Sequence, residues 1–178
     1  MKRLDSGLFE PTAERLHLGC GRKILPGYVN VDLVEAEGVD LAWDLSESIP
    51  FPDDSFARAL SEDFVEHVPA DRTIQLMNEV YRVLRPGGVF QVHVPESPGI
   101  TASQDPTHRS AWNERTFSYF EDGNWRRDEY GVSYGVVARF RIEKVVRRRH
   151  GGWRAFLRTR NPAWLSNYLL DVDLVAVK

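Results

Sequence analysis

Leu16-His-Leu-Gly-Cys-Gly21, with Leu25-Pro-Gly-Tyr-Val-Asn-Val-Asp32 close behind it, decides the fold. Arg15-Leu-His-Leu18 reads as a short strand that stops at Gly19-Cys20-Gly21. Residues 28–33 read as a second strand leaving the Pro26-Gly27 turn. Only six residues, Arg22 to Gly27, lie between the glycine turn and that strand, too few for an ordinary crossover helix. Two glycines just past a strand let the backbone turn sharply and approach a ligand closely. They serve a plain tight turn equally well, and at this point both readings stand.

Outward from this stretch, residues 40–45, Asp-Leu-Ala-Trp-Asp-Leu, read as a third strand, and Pro50-Phe-Pro-Asp-Asp54 as a turn into a fourth over Ala57–Ser61. Ile74, Met77, Val80, Tyr81 and Leu84 recur at helical spacing, and Arg85-Pro86-Gly87-Gly88 stops that helix before a buried fifth strand over Val89–Val94. Ala138–Arg149 and Leu169–Val177 alternate enough to be strands, an antiparallel pair closing the sheet, joined by a long segment rich in Arg and Trp. Strands alternating with helical segments predict an α/β chain with a mainly parallel sheet covered on both faces.

At 178 residues the chain fits a single domain over residues 1–178. Its 42% hydrophobic, 28% charged and 11% aromatic composition excludes a disordered, fibrous or collagen-like chain. No apolar run approaches the roughly 20 residues a membrane span needs, and Met1-Lys2-Arg3-Leu4-Asp5 precedes no apolar signal core, so a cytoplasmic location is expected. Cys20 is the single cysteine, which excludes an internal disulfide and a thiolate metal cluster. The net charge of −3 divides unevenly: −10 over residues 1–125, +8 over residues 126–160 and −1 over the rest. The basic segment 126–160 either attracts an anionic substrate, nucleic acid or membrane surface, or is a solvated strand and loop.

Asp32, at the carboxyl end of the second strand, is placed to accept hydrogen bonds from both ribose hydroxyls of an adenosine; the alternative is a surface acid. Asp44-Leu45 offers a polar contact to an adenine amino group and an apolar wall for its ring, or else an ordinary strand end. The glycine turn, Asp32 and Asp44-Leu45 fall on three successive strand ends, where open parallel sheets hold ligands. A dinucleotide needs helix-terminal amides for its pyrophosphate, whereas a methionine sulfonium has no phosphate to hold. S-adenosylmethionine therefore suits the loop better than NAD.

The chain here resembles the class I S-adenosylmethionine-dependent methyltransferases, in particular the small type-11-like group. Besides the two opening stretches, the resemblance rests on Asp44-Leu45, Pro50-Phe-Pro-Asp-Asp-Ser-Phe56, Ser61-Glu-Asp-Phe-Val-Glu-His67, Glu79-Val-Tyr-Arg-Val-Leu-Arg-Pro-Gly-Gly88 and Asp105-Pro-Thr-His108. It spans residues 15–120 and implies a Rossmann-like, three-layer α/β/α fold whose seven-stranded sheet ends in an antiparallel hairpin. By this resemblance Gly19, Cys20 and Gly21 would line the methionine part, Asp32 with Leu33 the ribose, and Asp44 with Leu45 the adenine, with Ser61 and Glu62 near the sulfonium. His17 stands where many relatives have an acid, and Lys23 where many have a further glycine.

Methyl transfer from a sulfonium is an in-line displacement, so the protein mainly aligns the acceptor and excludes water. A base matters when the acceptor is a hydroxyl. His67 and His108 are the candidate catalytic bases, with Asp105 either orienting His108 or making a turn with its own backbone. For each histidine the other reading is structural: His67 packing the turn before Pro69, His108 satisfying the Asp105-Pro-Thr turn. Cys20 is expected to be a small buried packing residue. The five histidines show no ligand spacing, and no catalytic metal is expected. Arg147-Arg-Arg-His-Gly-Gly-Trp-Arg-Ala-Phe-Leu-Arg-Thr-Arg160 either selects a negatively charged acceptor or covers the core through Trp153 and Phe156.

The expected function is S-adenosylmethionine-dependent methyl transfer to an unidentified acceptor, a small metabolite or a glycan intermediate. The rivals are a non-catalytic S-adenosylmethionine-binding module recruiting nucleic acid or a partner through its basic end, and a nicotinamide-dependent oxidoreductase. The latter is disfavoured by the missing third glycine and helix.

Overall fold

The computed structural model describes residues 1–149 and 168–178. Its strands are β1 (Arg15–Leu18), β2 (Val29–Asp32), β3 (Leu41–Ala42), β4 (Phe56–Glu62), β5 (Leu84–Pro95), β6 (Phe140–Arg149) and β7 (Tyr168–Ala176). They form one sheet in the order β3-β2-β1-β4-β5-β7-β6. The first five run parallel, and β7 lies antiparallel between β5 and β6.

Leu16 and Leu18 point to one face of β1 and His17 to the other, yet all three are buried, as a central strand of a covered sheet requires. One apolar cluster links β1, β2, β4, β5, β6 and β7 to helix α1 (Thr73–Val83). Leu76, Met77, Val80 and Val83 of α1 are fully buried, and Ile74 and Tyr81 pack at its margin. Helices are otherwise few among the described residues: α2 (Ile100–Ser103) and α3 (Glu114–Phe117) make one turn each. Leu84, read from the sequence as helical, opens β5 instead. It pairs with Phe56, the ladder skips across Arg85-Pro-Gly-Gly88, and pairing resumes at Arg58 with Val89.

The connection from β1 to β2 contains no helix, as its length demanded. Buried Asn30 holds it: its Oδ1 accepts the Leu25 amide at 2.9 Å and its Nδ2 donates to the Leu25 carbonyl at 3.1 Å. β3 is shorter than the sequence pattern predicts. The Asp44 carboxylate accepts from the Ser46 amide at 2.9 Å and the Ser46 hydroxyl at 2.6 Å, a local turn that takes the chain out of the ladder. Register brings Leu18 opposite both Val31 and Ser61, and Asp32 opposite Ala42, so β1 to β4 end level at one edge.

Candidate active site

The level strand ends enclose a cleft of about 420 Å³. Gly19 and Gly21 form its floor at φ +63° and +51°, a left-handed conformation that costs other residues energy. A Cβ on Gly19 would come within 2.6 Å of Phe64 Cβ and overlap the Phe64 ring, whereas one on Gly21 would meet nothing within 4 Å. The first glycine therefore makes room for protein and the second opens onto the cleft. The Asp32 carboxylate faces this bend, accepting the Gly21 amide at 2.7 Å on Oδ2 and the Val34 amide at 3.1 Å on Oδ1.

Behind the floor lie two buried side chains. Cys20 is nearly inaccessible, and burial pushes its thiol up to about 11, so it packs and does not react. Ser61 Oγ is buried with no hydrogen-bond partner among the described residues. His17 sits beneath the loop, its Nδ1 3.3 Å from Asn30 Oδ1 and its Nε2 3.9 Å from Glu62. Burial lowers its pKa against the pull of Asn30 and Glu62. Lys23 Nζ donates to Glu62 at 2.6 Å.

A 3₁₀ turn, Val65–His67, follows β4 and carries Glu66 and His67. Glu66 is 2% exposed, neither carboxylate oxygen accepts a hydrogen bond among the described residues, and burial pushes its pKa up to about 7. The Arg109 and Ser110 amides donate to the Glu66 carbonyl at 2.7 and 3.0 Å, tying the Asp105–Ser110 loop to this turn. His108 Nε2 thereby stands 4.0 Å from Glu66 Oε1, and the rings of His67 and His108 meet edge to face at 4.9 Å between centroids. Asp105 does not orient His108 through its side chain. Its Oδ1 accepts the Thr107 amide at 2.8 Å and the Thr107 hydroxyl at 2.6 Å, which hold its pKa down, so it makes the turn. Thr107 in turn meets His67 Nδ1 at 3.1 Å.

His67 lines the cofactor-sized cleft, and His108 lines a second hollow of about 400 Å³ formed by residues 97–99, 102–103 and 108–111. Arg109 borders both. Arg147 pairs with Glu96, just past the end of β5, and lies over the Tyr168 ring, and Arg148 pairs with Asp171. The readings of His150, Trp153, Arg154, Phe156, Arg158 and Arg160 fall outside the described residues.

Residues 16–92 match the family model of the methyltransferase domain, type 11. Over that stretch the chain is similar to the type-11 methyltransferases. Solved methyltransferases share its fold. One from Methanosarcina mazei superposes with a TM-score of 0.59 at 16% identity, covering 96% of this chain and 94% of that one. One from Archaeoglobus fulgidus gives 0.57 at 16% identity, with 94% and 88% covered. The Burkholderia thailandensis 1,6-didemethyltoxoflavin N1-methyltransferase, with 1,6-didemethyltoxoflavin and S-adenosylhomocysteine bound, gives 0.57 at 16% identity, with 92% and 71% covered. No curated protein sequence matches the chain.

For this methyltransferase, six of the nine residues expected at the cofactor border the cleft: Gly19, Gly21, Asp32, Leu33, Asp44 and Leu45. Cys20 and Ser61 lie buried behind it, and Glu62 is held by Lys23. Sequence reasoning missed Trp43, Phe64 and Arg109, which also line the cleft. Trp43 and Arg109 adjoin residues already singled out, and that adjacency was the available signal. Glu66 adjoins His67 in the same way, but nothing in the sequence pointed to its burial, because a glutamate in a 3₁₀ turn reads as solvated until the fold buries it.

Proposed function

We propose that this methyltransferase alkylates a small hydroxylated acceptor, a metabolite or glycan intermediate with an anionic group, seated in the hollow beside His108. The observation that carries the reading is the shared wall: His67 faces one hollow, His108 the other, and Arg109 borders both. The cleft fits an adenosyl group, since it has an open glycine where a side chain would intrude and a carboxylate, Asp32, at the level of a sugar. S-adenosylmethionine supplies an electrophilic methyl on a sulfonium. Asp32 would anchor the ribose hydroxyls and Asp44 the adenine amino group. The acceptor oxygen then lies against the His67–His108 wall, where an imidazole gives its proton a place to go.

Arg109 forms no ion pair among the described residues, so its charge is available to an anionic acceptor. The small-molecule acceptor bound to the Burkholderia enzyme supports an acceptor of that size. The pairing of Arg147 and Arg148 within the sheet favours Arg109 over the basic segment as the anion contact.

A radiolabelled methyl-transfer screen over phenols, sugars, hydroxy acids and amines tests the reading, run beside calorimetry with S-adenosylhomocysteine. The expected result is transfer to a hydroxyl acceptor, with Asp32→Ala weakening S-adenosylhomocysteine binding at least about tenfold through loss of two charge-assisted hydrogen bonds. Transfer confined to amines, or an Asp32→Ala protein that binds as tightly as the parent, would overturn it.

A further inference from the structure

We infer that Glu66, His67 and His108 form a binding site for one divalent transition-metal cation of the zinc class, set in the wall between the two hollows. One ligand atom from each of the three lies within 4.8 Å of the others. The site stands on this geometry alone; what the cation does there rests on the methyl-transfer reading.

Glu66 is the independent pointer. Its carboxylate is almost wholly buried, and neither oxygen accepts a hydrogen bond among the described residues. Buried polar groups are nearly always paired, and an orphan calls for a missing partner. The neighbours turned toward it are imidazoles, which in their neutral form are ligands for a cation.

The hydrogen bonds on the far sides of both rings fix which nitrogen of the neutral ring carries the proton. His108 Nδ1 lies 2.9 Å from the Ala102 carbonyl, which only accepts, so Nδ1 carries the proton and Nε2 keeps its lone pair toward Glu66. His67 Nδ1 meets the Thr107 carbonyl at 3.3 Å and the Thr107 hydroxyl at 3.1 Å. That hydroxyl donates its own proton to Asp105, so it accepts from His67, and His67 Nε2 is likewise left with its lone pair. A carbonyl or carboxylate chain behind a ligating histidine is the outer support that metal sites use to fix ring and tautomer. Asp105 acts here at one remove, as a positioning residue through Thr107.

Two imidazoles and one carboxylate make a three-ligand set that leaves a position open for substrate. Ligand atoms about 2.1 Å from a zinc ion stand roughly 3.4 Å apart, so the three groups would draw in by about an ångström. His108, one of the three, lines the hollow assigned to the acceptor. A hydroxyl bound there becomes acidic near neutral pH, as zinc-bound water does. With the cation bound both imidazoles are ligands, so the hydroxyl proton leaves to solvent in place of an imidazole. The hydroxyl oxygen forms the new bond to the methyl carbon, and the pair of the breaking carbon–sulfur bond stays on sulfur. No electron donor or acceptor is needed. The substrate class is thereby narrowed to oxygen acceptors.

The untagged chain, freed of metal with a chelator, is titrated with Zn²⁺ by calorimetry and with Co²⁺ by visible absorption. The parent is expected to take up one equivalent and to show the d–d bands of cobalt held by nitrogen and oxygen. Glu66→Gln and His108→Asn should each weaken binding at least about 10- to 100-fold, the loss that even an outer partner causes. His93→Asn, outside the cluster, should leave it unchanged. Circular dichroism and melting of the metal-free variants establish that they fold. Absence of stoichiometric binding to the parent, or an equal loss in His93→Asn, overturns the inference. S-adenosylhomocysteine titrated into the same samples separates the two readings, since cofactor binding without zinc binding removes the metal site and leaves the methyltransferase reading standing.

Discussion

Gly19 and Gly21 share a left-handed backbone but differ in what surrounds them, and that difference is measurable. Alanine at Gly21 adds a Cβ in open space, so only the backbone cost of about 1–2 kcal/mol applies. Alanine at Gly19 also drives a methyl into Phe64, which adds an overpacking cost of about 1–3 kcal/mol. Denaturant unfolding should rank Gly19→Ala as clearly less stable; equal losses would show that the Phe64 contact is relieved freely. His17 offers a second residue-scale test. Its pKa is lowered by burial in the folded chain, so the unfolded chain takes up a proton first as pH falls through about 6.5. The stability His17 contributes is complete above that pH and is lost below it. Replacing His17 by Gln should flatten the fall in unfolding free energy between pH 7.5 and 5.5, and parallel curves for the two proteins would contradict this.

At the scale of elements, one clamp joins α1 to the turn before β4. Arg82 donates to Glu79, to Asp53 at 2.8 Å, and to the carbonyls of Phe51 and Ile49 at 2.8 and 2.7 Å. Glu79 also accepts the Ile49 amide at 2.9 Å. Burial alone would raise the pKa of Glu79, but the bonds from Arg82 and Ile49 outweigh it and hold it below the ordinary value. Both side chains are less than a third exposed, so removing one strands the other. Arg82→Ala should cost about 2–4 kcal/mol by denaturant unfolding. A loss under about 0.5 kcal/mol would mean that the turn is held by its buried Ile49 and Phe51 alone. The elements themselves were largely legible beforehand: β1, β2, β4, α1 and the antiparallel pair follow from alternation, helical spacing and glycine or proline punctuation. The shortened β3 was not, because it depends on where the Asp44 side chain spends its hydrogen bonds.

For the molecule as a whole, the site is an edge where several strands end together, and its functional division falls across Arg109. Because Arg109 borders both hollows without an ion partner among the described residues, Arg109→Gln should raise the KM for an anionic acceptor about 10-fold or more. The S-adenosylhomocysteine affinity should stay within about 2-fold. A change confined to S-adenosylhomocysteine affinity would place the arginine on the cofactor side instead.

Local pattern alone determined most of the strands, the helix-free first connection and the placing of Asp32 at a strand end beside a glycine bend, because periodicity, chain length and turn chemistry act over neighbouring residues. Only the tertiary structure decided that Glu66 is buried and unpaired, that His67 and His108 touch, and that Asp105 serves Thr107. Those contacts join β4 to a loop some 40 residues further on, and burial, which sets their chemistry, belongs to the packed molecule and not to the residue type.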